Sequence, residues 1–421
     1  MSKSDRRLAI RGISPRWWAG MFLVQTLVVV SVVPWRTDDL YDGGIDPVVI
    51  GKAVVGFAAF GFALLFYRST PVHGDLGLRT ITLLLGITLI SVLGAFAAGG
   101  AGPDVILAIR LLLVAATLVL TAMSVPPVDL LATMLAAMGA VAIVAAVTGA
   151  SHGLATGRLG GGIPQMAPNV LAGLAAAPSI GLVVHIVTRG VRVWSVLLVF
   201  VFFTLIFATG SRTALIVVLV GMVVAFVVAP RLPISAAIGA IAIFPVTYAL
   251  AAFTDTIAKV LSRGQTIEEI STFSSRTVAW QAVLATPFDS WAKWIGVGLA
   301  AQTVPVQQRF RNVQVLDSSW VSVIAQAGVI GTVLLVVWIV TTGFDSLRRA
   351  ELIPLALPLF VMLFIRSFTE NGLIESSPTF VLFFALSLVL EQRTRFPGLR
   401  LHAPTYSIAT PLPISSAVER G

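Results

Sequence analysis

The chain has 421 residues, 57% of them hydrophobic and only 11% charged, with a net charge of +9 and a mean hydropathy of +0.96. Soluble globular proteins carry about 25% charged residues, so a sequence this apolar cannot cover its surface in water and reads as a polytopic integral membrane protein. Cysteine is absent and the four histidines are scattered, which removes disulfides, thiolate nucleophiles and the usual metal-ligand spacings, and leaves no cofactor or metal to assign.

The N-terminal stretch MSKSDRRLAIRGISPRWW is a basic lead into a first span, with no small-residue cleavage site after it. A spanning helix needs about 20 apolar residues. Twelve stretches qualify, near residues 17–34, 47–67, 80–98, 104–124, 127–149, 168–187, 193–209, 212–230, 233–252, 319–341, 351–367 and 377–391. The expected fold class is therefore all-α, with one long connection and no visible internal repeat. The chain divides into a basic N-terminus (1–16), spans one to nine (17–252), a large loop (253–318), spans ten to twelve (319–391) and a Pro- and Ser-bearing tail (392–421) expected to be disordered.

Alternate connections differ in basic residues. Arg6, Arg7, Arg11, Arg16, Arg68, Arg79, Arg189, Arg192, Arg231, Arg348, Arg349, Arg393 and Arg395 fall on one side, and the first loop on the other side, RTDDLYDGGID, is acidic. By the positive-inside rule both termini are cytoplasmic and the large loop is extracytoplasmic. The net positive charge is then a topology signal, and no nucleic-acid partner is expected.

Outer arginines run against that bias and need another reason to exist. Among them are Arg36, Arg158, Arg212, Arg276, Arg309, Arg311 and Arg366. An anionic substrate held at the outer leaflet supplies one. Within the spans, Lys52 and Arg110 each sit roughly 10 Å below the outer end at 1.5 Å rise per residue, and the bilayer midplane is empty of fixed charge. Coupled transporters place their sites near the midplane, so chemistry at one face is the better reading. A flippase or transporter of a polyprenyl-linked or anionic solute is the alternative, and it would need cations deeper in the bundle than the one inner-end residue, His185.

Four segments combine polar residues with outward placement. In GRLGGGIPQMAPNVLAG, Arg158 stands in a glycine-rich loop and Pro168-Asn169 opens the sixth span; such glycines let backbone N–H groups approach a phosphate. A flexible loop before a helix start explains the same letters. In TGSRTALIVVLVG, Ser211 and Arg212 open a span whose dipole prefers anions at that end, so a docked diphosphate would relieve the cation there. Snorkelling to headgroups is the plainer account of a lone arginine.

The third segment, SSRTVAWQAVLATPFDSWAKWIGVGLA, predicts a short helix with Arg276 at its start and Val278, Trp280, Val283 and Leu284 near one face, followed by interfacial Trp291 and Trp294. In the fourth, DSSWVSVIAQAGVIGTVLL, Asp317 can cap the tenth span or take a proton from a sugar hydroxyl. Gly328 and Gly331 read as close helix packing. Downstream, RSFTENGLIESS adds Arg366, Glu370 and Glu375 in the last outer loop.

These segments, in this order over residues 150–390, resemble the bacterial O-antigen ligase and O-antigen polymerase family. The resemblance implies a glycosyltransferase C-like membrane enzyme, metal-independent and inverting, in the cytoplasmic membrane. It implies a donor glycan on undecaprenyl pyrophosphate, a glycan or glycolipid acceptor, contact with membrane lipids and a chain-length regulator as a candidate partner. The family's diphosphate-holding arginines carry over to Arg212 and Arg276, and its asparagine after proline to Asn169. Arg158, Ser211, Arg366 and Arg110 are further substrate-binding candidates, with Glu370 an alternative base. Where ligases typically show histidine then asparagine, this chain has Asp317-Ser318, which favours a polymerase or a ligase for another acceptor.

Overall fold

The computed structural model describes residues 15–35, 47–70, 73–229, 274–308 and 311–392. Among them are thirteen helices and one hairpin: α1 (Pro15–Val32), α2 (Pro47–Ser69), α3 (Arg79–Ala97), α4 (Gly102–Ser124), α5 (Pro127–Thr156), α6 (Pro168–Arg189), α7 (Val193–Thr209), α8 (Arg212–Val227), α9 (Ser274–Leu284), α10 (Trp291–Ile295), β1 (Thr303–Gln308), β2 (Arg311–Val315), α11 (Ser319–Arg348), α12 (Ile353–Ser367) and α13 (Pro378–Glu391). Eleven of the twelve expected spans are helices here, α1 to α8 and α11 to α13; the ninth, 233–252, lies outside the described residues.

The protein is an all-α polytopic membrane protein. Six helices, α2 to α6 and α11, are long and apolar enough to cross a bilayer. Large apolar side chains stand outward along the bundle, among them Val54, Phe57, Leu65, Leu89, Phe200 and Val223, each about half exposed or more. Water would not tolerate so continuous an apolar exterior, whereas lipid requires it.

The shortest spanning candidate is also the most enclosed. Every residue of α13 from Phe380 to Leu390 is buried, and the helix touches α1, α3, α4, α5, α6, α11 and α12. Its sequence, PTFVLFFALSLVLE, is apolar all round, as a helix surrounded by protein must be. Trp338 of α11 packs against Phe383 at 4.9 Å between ring centroids and donates from Nε1 to Ser387 Oγ at 3.1 Å, so the helix carries both the core and a polar register mark.

At the end of the bundle away from the hairpin, Arg79 ties three helices together. Its Nη2 lies 2.6 Å from Asp345 Oδ2 of α11 and its Nε donates to Glu391 Oε1 of α13 at 3.1 Å. At the hairpin end, Asp104 of α4 accepts from the Ala300 N–H at 2.7 Å, and Ala279, Val283, Leu316 and Val321 form a small separate core that seats α9 on α11. The core face of α9 runs through Ala279 and Val283; Leu284, expected on that face, is 53% exposed because it falls one residue beyond the i, i+4 pair.

Glycine 328 departs from the expectation of simple helix packing. It breaks α11 with φ 64° and ψ −164°, and a Cβ there would collide with the backbone of Trp294 in α10. The carbonyls freed by the break are satisfied from outside: Val297 N–H donates to Ala325 O at 2.9 Å, Gly298 N–H to Gln326 O at 3.1 Å, and Ser91 Oγ to Gln326 O at 2.8 Å. Close packing is present, against a loop helix and at a broken turn.

Candidate functional site

Asn169 joins residues from three separate parts of the sequence. Pro168 occupies the first turn of α6, where its missing N–H costs nothing, and Asn169 follows at the mouth of the bundle. Its Nδ2 donates to Glu370 Oε1 at 3.0 Å, and its Oδ1 lies 3.5 Å from Arg158 Nη2. Its backbone oxygen accepts from Arg366 Nη2 at 3.1 Å. Arg366 is only 7% exposed, and it lies flat along α6 because the next turn presents Gly173, where a Cβ would stand 2.5 Å from the guanidinium.

Arg158 reaches in the other direction as well, donating from Nε to Thr209 O at 3.0 Å, while Leu159 N–H donates to Ala208 O at 2.9 Å. The glycine-rich loop is thereby stitched to the turn that carries Arg212. Ser211, 2% exposed, is the N-cap of α8 and Arg212 is its first residue. Burial lowers the Arg158 pKa from the ordinary arginine value; a partly desolvated guanidinium gains from a counter-anion more than a solvated one.

Asp317 is brought to the same end by its neighbours. Ser318, the N-cap of α11, turns its hydroxyl to Ser367 O at 3.4 Å, and Ser319 donates from both N and Oγ to Glu370 O, at 3.2 and 3.0 Å. The start of α11 is thus laced to the turn that bears Arg366 and Glu370. Asp317 precedes the N-cap position, so it is not the capping residue of that helix. Arg276 lies in the first turn of α9, which packs on Leu316 and Val321 to either side of Asp317; its side chain is outside the described residues.

One expectation needs correction. The glycine-rich loop does not hold its amides ready for a phosphate. Gly161 N–H donates to Met166 O and Gly162 N–H to Ala145 O, both at 2.9 Å, and Ile163 N–H to Thr148 Oγ1 at 2.8 Å. Those glycines allow close packing on α5, where a Cβ at Gly162 would meet the backbone of Thr148. Arg110, a further substrate-binding candidate, is bonded to α1. Its Nη2 donates to Ser31 O at 2.7 Å, and it lines a separate small pocket with Leu107, Leu111, Leu299, Gln302, Ile374, Glu375 and Ser376.

Glu375 in that pocket had no assigned role in the sequence reading. Its Oε1 accepts from Gln326 Nε2 at 2.9 Å and its Oε2 from Asn371 Nδ2 at 3.2 Å. Desolvation pushes the carboxyl up to about 7, against the opposing hydrogen bond from Gln326. The only sequence signal is a second glutamate in a short polar loop; Gln326, inside an apolar run, gave none.

Residues 196–336 match the model of the O-antigen ligase family. The chain carries an O-antigen ligase domain. The match begins in α7, takes in Arg212, Arg276 and Asp317, and ends within α11. No curated protein sequence matches the chain. The match over residues 196–336 supports O-antigen ligase-like glycan transfer in cell-surface polysaccharide synthesis. Asn169, Arg366 and Glu370 lie outside the matched residues yet close the same end of the bundle.

Proposed function

We propose that the protein transfers or polymerises a glycan from an undecaprenyl-pyrophosphate donor onto an acceptor hydroxyl at the outer face of the cytoplasmic membrane. The observation that carries this is the lacing of four distant segments at one end of the bundle: Arg158 to Thr209 beside Arg212, Arg158 and Arg366 to Asn169, Asn169 to Glu370, and Glu370 to the residues after Asp317.

In this reading Arg212 and Arg276, with Arg158 and Arg366, grip the diphosphate and stabilise the charge that grows on it as the glycosyl bond breaks. Planar guanidinium forks suit paired phosphate oxygens. Asp317 takes the proton of the acceptor hydroxyl, whose oxygen attacks the anomeric carbon opposite the departing diphosphate, with inversion. Glu370, already engaged by Asn169, is the alternative base. The leaving diphosphate is activated and clamped by arginine, so transfer needs no divalent cation. Asp317-Ser318 in place of the ligases' histidine and asparagine favours polymerisation, or a ligase acceptor other than lipid A core. Both termini are cytoplasmic in this scheme.

Purified protein in proteoliposomes, given undecaprenyl-pyrophosphate glycan and acceptor in EDTA, tests it. Transfer that persists in chelator and is lost in Arg212→Ala and Asp317→Ala supports the enzyme. Movement of donor between leaflets with no new glycosidic bond would establish a flippase instead. A ladder of products from one donor alone identifies a polymerase.

A further inference from the structure

We infer that the small pocket walled by Arg110, Gln302, Glu375 and Ser376 takes a single hydroxyl at the edge of the acceptor glycan, across residues 368–377 from the arginine cluster. The polar groups there are mixed in sign and type: one guanidinium, one carboxyl, two amides counting Gln326 behind Glu375, and one hydroxyl. Ser376 Oγ is buried with no hydrogen-bond partner among the described residues, and Gln302 is only 6% exposed. Buried polar atoms left unpaired cost about 1–3 kcal/mol each, so native sites that keep them are built for something that pairs them.

A sugar hydroxyl both donates and accepts, and suits such a set. It can accept from Arg110 or Ser376 while donating to a carbonyl or carboxyl oxygen. A diphosphate does not suit it, because the Glu375 carboxyl presents oxygen beside the one lining guanidinium. A carboxyl with a pKa of about 7 can accept from a sugar hydroxyl when ionised and donate to one when protonated, both near neutrality. The side on which the pocket lies supplies the last argument. The segment 368–377 carries Glu370 toward Asn169 and the arginines, and Glu375 toward Gln326 and Arg110. An acceptor that attacks opposite the leaving diphosphate needs its binding groups across from the arginines.

The assignment of the sugar as acceptor rests on the glycan-transfer reading above; the pocket's chemistry does not. The test uses Gln302→Ala and Ser376→Ala in the full-length protein, in proteoliposomes, with the acceptor and donor concentrations varied separately. Expected is a rise of about fivefold or more in acceptor KM, the size of one lost hydrogen bond, with donor KM and kcat within about twofold. An unchanged acceptor KM, or a shift in donor KM instead, overturns the subsite. A binding arm keeps the two readings apart. Saturation-transfer NMR with the phosphate-free repeat-unit oligosaccharide of the host's own surface glycan should show contact in the parent protein and a weakened signal in both variants. If the parent transfers no glycan, the enzyme reading fails while this arm still decides the pocket; absence of binding by a transfer-competent parent sinks the pocket alone.

Discussion

Asn169 is neutral, yet it stands among two arginines and a glutamate and bonds to all three. Its side chain bridges Arg158 and Glu370, and its backbone oxygen holds Arg366. Replacing it by alanine leaves Glu370 and Arg158 without that bridge. Hydrogen bonds to charged groups contribute about 1.5–3 kcal/mol, so Asn169→Ala should slow transfer by roughly 10- to 100-fold with the protein still folded, measured as turnover against an unchanged gel-filtration profile. Glu375 carries the second expectation at this scale. Its folded pKa of about 7 stands above the ordinary carboxylate value of 4.5, so the folded state binds the proton more tightly than the unfolded state does. Its contribution to stability is therefore fully present below about pH 4.5 and is lost as pH rises through 7. A melting midpoint that falls across that window in the parent, and falls less in Glu375→Gln, is the expected result.

Among the elements, the break in α11 does the most to shape the site. It turns Gln326 toward Glu375 and lets α10 seat its backbone in the gap. Gly328→Ala would place a Cβ in a left-handed backbone conformation and against Trp294. The conformational penalty alone is about 1–3 kcal/mol, and the collision adds to it, so a lowered thermal midpoint and a loss of transfer are expected together. Gly331→Ala, three residues on, has ordinary helical φ, and comparison of the two separates backbone strain from the loss of a small residue.

Much of this level was legible in the letters. Apolar runs of spanning length located eleven helices, because burial in lipid demands the run whatever the packing. The break was not legible, since a glycine in an apolar run reads equally as a close contact. The loop 157–163 misled for a similar reason: GRLGGG reads as a phosphate cradle, but Gly161 and Gly162 direct their amides to Met166 and Ala145. Arg158, Asn169 and Arg366 could be named as candidates from their outward placement; that Asn169 binds both others depends on contacts between residues up to 197 apart, which no local pattern encodes.

For the whole molecule, the packing sets one end against the other. Arg79, Asp345 and Glu391 close the end away from the hairpin, and the arginine cluster closes the end beside it. In the proposed orientation the hairpin end faces outward. The chain has no cysteine, so single replacements report sidedness directly. A membrane-impermeant maleimide should label Asp289→Cys in intact spheroplasts and Glu351→Cys only after permeabilisation, both positions being exposed. The reverse pattern would move the site to the cytoplasmic face and remove the undecaprenyl donor's outward-facing glycan from reach.

The central claim is that arginines drawn from α8, α12 and the glycine-rich loop recognise a diphosphate. Affinity for undecaprenyl pyrophosphate, set against undecaprenyl monophosphate in the same nanodiscs, measures this without turnover. The account predicts a preference for the diphosphate that falls about tenfold or more in Arg212→Ala and in Arg158→Ala, each losing a charged contact. Equal affinity for the two lipids in the parent protein, or a preference untouched by both substitutions, would contradict it.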